Sequence, residues 1–310
     1  METPCNSKFV PHGTKPIFIL GPTGCGKSAV AVELAEILDN TQIISTDAYQ
    51  VYRGMPIITA APGDEEMSRV KHHLVGFMNP TENNDAAEHA RRAENIITEL
   101  QKGGMPPVLT GGSGLYVKFI SHGISPAPPS DPELRAELNA LPLPEVVRRL
   151  QEADPEGAAD TDLQNPRYVV RNLEIVLLGA KPLSYWRNNW QAPIGPGFCL
   201  VRDTADLDAR IAKRAAQMLR DGVADEVAAL EGLTLSTTAS KTLGLTQVQD
   251  YLKGRLTASE LISAISLATR QYAKRQRTWL RREKWLTPVE VSRDAKPREV
   301  AERIAALLIR

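Results

Sequence analysis

Pro16-Ile17-Phe18-Ile19-Leu20-Gly21-Pro22-Thr23-Gly24-Cys25-Gly26-Lys27-Ser28-Ala29-Val30 is the stretch that decides the fold of this 310-residue chain. Ile17 to Leu20 is a short apolar run that ends at once in glycine, the pattern of a buried strand feeding a loop. From Ser28 to Leu38 the apolar residues Val30, Val32, Leu34, Ala35, Ile37 and Leu38 cover one side of a helix. Between strand and helix, Gly21 to Ser28 satisfies G-x-x-x-x-G-K-[ST] in the context a chance match usually lacks. Glycine lets backbone N–H groups curl around phosphate oxygens, the helix N-terminus adds partial positive charge, Lys27 supplies a mobile ammonium, and Ser28 can hold Mg²⁺. The loop therefore recognises a polyphosphate. It does not recognise a base, so an ATP site is a further inference that needs other support.

Outward from this loop, strands alternate with helices. A second strand is expected at Gln42 to Ser45, a helix at Asp85 to Lys102, and a third strand at Val108 to Thr110 leading into the turn Gly111-Gly112-Ser113-Gly114. Each crossover is long enough for a parallel connection, so the fold class is α/β: a P-loop NTPase-like, doubly wound parallel sheet with helices on both faces. Between Ser45 and Pro80 the sequence reads as irregular. Prolines from Ile124 to Pro132, and again at Pro142, Pro144 and Pro155, break the pattern. Three parts are expected: residues 15–120 as the first part of the core, 121–196 as an inserted helical subdomain, and 197–310 as the continuation. Phe198 to Val201 resumes strand character, followed by one long amphipathic helix from Asp206 to Leu230, a helix from Thr257 to Arg282, and a last one from Ala295 to Ile309.

Composition narrows the class. Hydrophobic residues at 42% and charged residues at 24% fit a globular chain, and 21 Gly with 22 Pro are too scattered for collagen or low complexity. The apolar runs are far shorter than the roughly 20 residues a membrane helix needs, and Met1 to Lys15 lacks a secretory apolar stretch, so a soluble, cytoplasmic protein is expected. Cys5, Cys25 and Cys199 cannot all pair and lack C-x-x-C spacing, which supports neither a disulfide framework nor a thiolate zinc site. The 37 basic and 37 acidic residues cancel. Local clustering breaks that balance: Arg270, Lys274, Arg275, Arg277, Arg281, Arg282 and Lys284 face the single acid Glu283, with Tyr272, Trp279 and Trp285 interleaved. Phosphate backbone is the expected partner, and aromatic and guanidinium planes favour unpaired RNA bases over duplex DNA.

Several side chains are candidates for chemistry. Asp47 follows the second strand and so sits on the rim that carries the phosphate loop. It could hold Mg²⁺ through water, take a proton from a nucleophile, or cap the next segment. Thr59 and Ser113 are hydroxyls near the same rim. Arg210 and Arg214 lie four apart on one helix face, either solvated or clamping a diphosphate opposite Lys27. His72-His73 has no further ligand at metal spacing and reads as structural, and Cys25 occupies a variable position of the motif.

Together these segments resemble the bacterial tRNA dimethylallyltransferase family, also called isopentenyl-tRNA transferases. The resemblance rests on an ordered set: Gly21 to Ser28; Ser45-Thr46-Asp47 with Gln50 to Met55; Ile58-Thr59-Ala60; His72-His73-Leu74; Gly111 to Tyr116; Asp131-Pro132 with Arg135; Asn165-Pro166-Arg167 with Arg171 and Glu174; and Tyr272 to Gln276 with Thr278-Trp279. It spans nearly the whole chain from Ile17 to Trp285.

The resemblance implies transfer of a dimethylallyl group from dimethylallyl diphosphate to N6 of adenosine 37 in the anticodon stem-loop of tRNA, with Mg²⁺ as cofactor and no obligatory protein partner. It implies that Gly21, Pro22, Thr23, Gly24, Cys25, Gly26, Lys27 and Ser28 hold the diphosphate, that Asp47, Thr23 and Arg214 are catalytic, and that Ser28 binds Mg²⁺. The tRNA-contacting positions it implies are Asp47, Ala48, Tyr49, Gln50, Ser113, Arg135, Gln164, Asn165, Pro166, Arg167, Tyr168, Lys241, Thr242, Leu243, Gly244, Leu245 and Thr246. The basic segment, with Lys274, Arg275, Arg277 and Arg281, would grip the anticodon stem. Family positions usually held by other residues are Ser113, Ala61 and Leu245. Three rivals remain at this point: a transferase acting on free adenylate, which needs no RNA-binding segment; a small-molecule kinase, which consumes ATP without a prenyl donor; and a non-catalytic RNA-binding protein that uses the loop only to hold backbone phosphate.

Overall fold

The computed structural model describes residues 13–39 and 41–309; Cys5 and the leader through His12 lie outside the described residues. In chain order the first elements are β1 (Ile17–Leu20), α1 (Lys27–Leu38), β2 (Ile43–Ser45), α2 (Asp64–Arg69), β3 (His72–His73), α3 (Ala86–Lys102), β4 (Val108–Gly111) and α4 (Gly114–His122). Five helices follow: α5 (Pro132–Ala140), α6 (Leu143–Ala153), α7 (Pro155–Ala159), α8 (Pro166–Gly179) and α9 (Leu183–Asn188). The chain then continues with β5 (Gly197–Val201), α10 (Thr204–Arg220), α11 (Val223–Ala228), α12 (Leu245–Leu252), α13 (Ala258–Leu280), β6 (Leu286–Glu290) and α14 (Pro297–Leu308). Among the described residues two compact units result, one formed by those through Ser121 and from Pro193 on, the other by His122–Ala192.

The larger unit is built on a six-stranded sheet of order β3-β2-β4-β1-β5-β6, parallel throughout. β1 lies inside it, registered against β4 (Ile17 with Val108) and β5 (Phe18 with Gly197). Both its faces are covered, which explains the unbroken apolar run. Ile17 and Ile19 join the core shared with α1 and α14 through Val30, Leu34 and Ile304. Phe18 and Leu20 point the other way, into the core with Ala93 and Ile97 of α3 and Val117 of α4. A separate cluster packs Val51, Tyr52, Met55 and Ile58 against α10 to α13.

Three expectations change. The stretch between Ser45 and Pro80 is not merely irregular: it contains α2, the edge strand β3, and buried Val51, Tyr52 and Met55. The single helix expected from Asp206 to Leu230 is two, because Gly222 takes φ 92°, a left-handed conformation that stops α10 and starts α11. β6, which contains Pro288, completes the sheet at an edge, where a missing N–H is tolerated. Among the described residues no helix is long and apolar enough to cross a membrane.

The smaller unit packs α5 to α9 around Leu138, Leu150, Val169 and Leu173. Its hub is Glu174, wholly buried, which accepts hydrogen bonds from Arg171 at 2.6 Å, Ser130 Oγ at 2.9 Å and the Asp131 N–H at 2.9 Å, and from Arg135. Burial pushes this carboxyl up, but the hydrogen bonds outweigh it and hold Glu174 below the usual range.

Candidate active site

The loop after β1 is shaped from below. Gly26 sits at φ 96° immediately before α1, a turn that disfavours side chains. The N–H groups of Lys27, Ser28 and Ala29 open α1 and have no acceptor within that helix, the arrangement in which a helix N-terminus can take an anion. Cys25 is fully buried with its thiol beneath the loop, and no role in chemistry follows from it. Thr23 is held from two sides. Its N–H donates to Gln276 Oε1 at 2.8 Å, and its Oγ1 accepts from Arg214 Nη2 at 2.7 Å. Arg210 Nε donates to the Gly24 carbonyl at 2.9 Å, so both arginines of the α10 face turn toward the loop. Burial, with the Arg210 charge nearby, pulls the Arg214 guanidinium below its ordinary value, against the opposing pull of Asp47 and the Cys25 thiol.

Asp47 lies just past β2 in a turn held by its own side chain, whose Oδ1 accepts the Tyr49 N–H at 2.9 Å. A buried network fixes the flanking backbone. His89 Nε2 donates to the Ser45 carbonyl at 3.0 Å, Asn84 Nδ2 donates to the Ala48 carbonyl at 3.4 Å, and the Ala48 N–H donates to Ser113 Oγ at 3.3 Å. Ser113 in turn lies 3.4 Å from the Tyr272 hydroxyl, so a hydroxyl at this position is enough for both contacts and serine supplies it. Burial, assisted by the negative charge of Asp47, raises the Tyr272 phenol.

A cleft of about 460 Å³ joins these parts. Thr23, Lys27 and Ser28 of the loop face Asp47, Gln50, Thr59 and Glu66 on one side and Arg210, Lys213 and Arg214 on the other. Glu226 shapes the wall that carries Thr59: its two carboxylate oxygens accept the Ile57 and Ile58 N–H groups, each at 2.8 Å.

The remaining sequence candidates divide. Ala48 is buried while Tyr49 and Gln50 are half-buried beside Asp47. Lys241 and Thr246 are exposed, Leu243 is half-buried, and Thr242, Gly244 and Leu245 are buried, Leu245 in the core with Val248 and Ile265. On α13, Lys274 and Arg275 are exposed, as is Arg281 just beyond it, while Arg277 is half-buried and donates to Thr204 Oγ1 at 2.7 Å. Trp279 lies against the Gly114 backbone and Trp285 stands edge-on to Phe18 at 5.3 Å, so neither ring is a free stacking surface. In the smaller unit Gln164, Pro166, Arg167 and Tyr168 are exposed at the head of α8, whereas Asn165 caps that helix and Arg135 is engaged by Glu174. His72 and His73 form β3, with His73 Nε2 2.6 Å from Gln42 Oε1. Sequence reading gave Glu226 and the Asn84–His89 pair no role, and took Gln276 only as part of the Tyr272-to-Gln276 motif without a function. A lone polar residue gives no local signal of a partner so far along the chain.

Known proteins resemble this chain over nearly its whole length. A model of the IPP transferase family matches residues 50–283. A tRNA dimethylallyltransferase of Akkermansia muciniphila is 51% identical over 289 residues, covering 93% of this chain and 97% of that protein. The crystal structure of a Bacillus halodurans tRNA isopentenylpyrophosphate transferase superposes with a TM-score of 0.68 at 32% identity, covering 96% of this chain and 97% of that one. A eukaryotic dimethylallyltransferase seen acting on tRNA shares the fold, with a TM-score of 0.76 at 22% identity over 89% of this chain and 74% of that one. By these matches the chain belongs to the IPP transferase family, that of the tRNA dimethylallyltransferases.

Proposed function

We propose that this chain transfers a dimethylallyl group from dimethylallyl diphosphate to N6 of adenosine 37 in the anticodon stem-loop of tRNA, releasing diphosphate. The observation that carries the reading is the single cleft in which a diphosphate loop, the Asp47 carboxylate and the Arg210–Arg214 face meet. In the transfer, the bond from C1 of the prenyl group to the diphosphate oxygen breaks and its electron pair leaves with diphosphate. The N6 lone pair forms the new C–N bond, and the N6 proton passes to Asp47. That lone pair is delocalised into the adenine ring, so a carboxylate accepting the proton as bonding develops is what makes it a usable nucleophile. Lys27, Arg214 and the head of α1 counter the charge growing on the leaving diphosphate, with the Thr23 hydroxyl beside it.

Mg²⁺ fits the donors present. The Ser28 hydroxyl and the Asp47 and Glu66 carboxylates are oxygen donors lining one cleft. A hard cation that keeps much of its water needs only one or two such protein oxygens beside phosphate. Ser28 would hold it, and when bound it would supply further charge neutralisation on the diphosphate. For the acceptor, the exposed Lys274, Arg275 and Arg281 would track the RNA backbone, and the target base must leave its stack to reach Asp47. Incubation of unmodified tRNA with the protein, Mg²⁺ and dimethylallyl diphosphate, followed by nucleoside mass spectrometry, should show adenosine heavier by one prenyl unit. Asp47→Asn should retain tRNA binding, which the other contacting positions share, and turn over about 10²- to 10⁴-fold more slowly. ATP consumption with no prenylated adenosine would overturn the reading.

A further inference from the structure

α13 carries two stripes in different surroundings. Its outer stripe, Lys274, Arg275 and Thr278, is exposed, with Arg281 continuing it. Its inner stripe, Tyr272, Gln276 and Trp279, follows the spacing that places side chains on one helix face. Each inner residue touches a different piece of the cleft's frame. Tyr272 reaches Ser113, which holds the Ala48 N–H next to Asp47. Trp279 covers Gly114.

Gln276, between them, is 5% exposed and uses both ends of its amide: Oε1 accepts the Thr23 N–H at 2.8 Å and Nε2 donates to the Gly112 carbonyl at 2.9 Å. Space for this bridge exists because residue 112 is glycine. A Cβ there would lie 2.5 Å from Gln276 Nε2 and 2.6 Å from the Gly21 carbonyl oxygen. One loop amide, that of Thr23, is thereby withheld from phosphate and used to seat the loop.

We infer that Gln276 is a positioning residue of the transfer reaction, fixing the diphosphate loop relative to the turn that carries Asp47 with α13 as the rigid spacer. The inference rests on the reading that the loop holds diphosphate. An in-line displacement depends steeply on the separation of nucleophile and leaving group, so a loop free to shift by about 1 Å loses rate out of proportion to the contact removed. Gln276 is buried while the outer stripe is exposed, so RNA affinity should not depend on it.

The test uses the full chain with Gln276→Met, close in volume and unable to make either bond, and Gln276→Asn, which keeps the amide but falls one carbon short of spanning both partners. Binding of inorganic diphosphate is measured by calorimetry, and kcat and KM by steady-state transfer to an anticodon stem-loop RNA. In both variants diphosphate binding should weaken about tenfold and kcat should fall by on the order of tenfold or more, with KM for RNA unchanged. Diphosphate affinity and kcat equal to the parent's would overturn the assignment. So would a parallel rise in KM for RNA, or unfolding of both variants, either of which marks Gln276 as a general support of α13. Failure of the parent chain itself to bind diphosphate would overturn the donor reading first and this inference with it, a result distinct from intact variants.

Discussion

Arg214 Nη2 meets Thr23 Oγ1 at 2.7 Å, linking α10 to the glycine-rich loop between β1 and α1. The guanidinium is therefore already in place before a ligand arrives, and its partial desolvation strengthens its pull on an incoming anion. Arg214→Met should lower the single-turnover rate by about 10²- to 10³-fold, the usual loss when one donor to developing charge is removed. Arg214→Lys should recover only part of this, since a point charge cannot serve Thr23 and an anion with a planar fork. Rapid-quench measurement with excess enzyme checks both, and an unaltered rate would remove Arg214 from the chemistry.

The exposed positions Arg275 and Arg281 should act through RNA phosphate. Replacing either by Gln should reduce the slope of log affinity against log salt by roughly 0.7–0.9 and weaken different tRNAs alike. Trp285→Ala should behave differently, leaving that slope alone and lowering stability to urea, because the ring packs on Phe18. Filter binding across a salt series separates the two behaviours.

His89 predicts a pH dependence of stability. Burial, with the charge of Arg92 close by, drives its imidazole from the ordinary 6.5 down to about 4, and it stays neutral while donating to Ser45. As pH falls below the ordinary value, the unfolded chain takes up a proton that folded His89 refuses. Stability is accordingly lost between 6.5 and about 4, by up to roughly 3 kcal/mol. Urea unfolding at about pH 7 and about pH 5 should show the fall, and His89→Gln should flatten it.

The order of elements could be read from sequence wherever local pattern and fold agree. The strand–loop–helix around Gly21 to Ser28 is legible because turn chemistry, helix periodicity and motif coincide within a few residues. β6 is not, since Pro288 argues against a strand until its position at an edge is known. α10 and α11 read as one because the apolar spacing runs across Gly222, and only the backbone angle separates them. At the site, Asp47, Arg210 and Arg214 could be proposed from rim position and spacing. The partners of Arg135 could not, because Glu174 lies on another helix and the pairing forms only when α5 meets α8. Gln276 is the extreme case, a neutral residue within a run of cations whose partners, Thr23 and Gly112, lie 253 and 164 residues earlier in the chain.

The register of the central strand has a consequence for biosynthesis. β1 is emitted early, yet one of its flanks stays bare until Gly197 pairs with Phe18, after the whole His122–Ala192 unit has been made. Through that interval the nascent chain exposes an unmatched ribbon of amides and carbonyls next to apolar side chains, which is a template for mispairing with neighbouring chains. The His122–Ala192 unit has an apolar cluster of its own around Leu150 and Leu173, so that length of polypeptide can bury its side chains internally instead of competing for the vacant edge while the ribosome finishes β5.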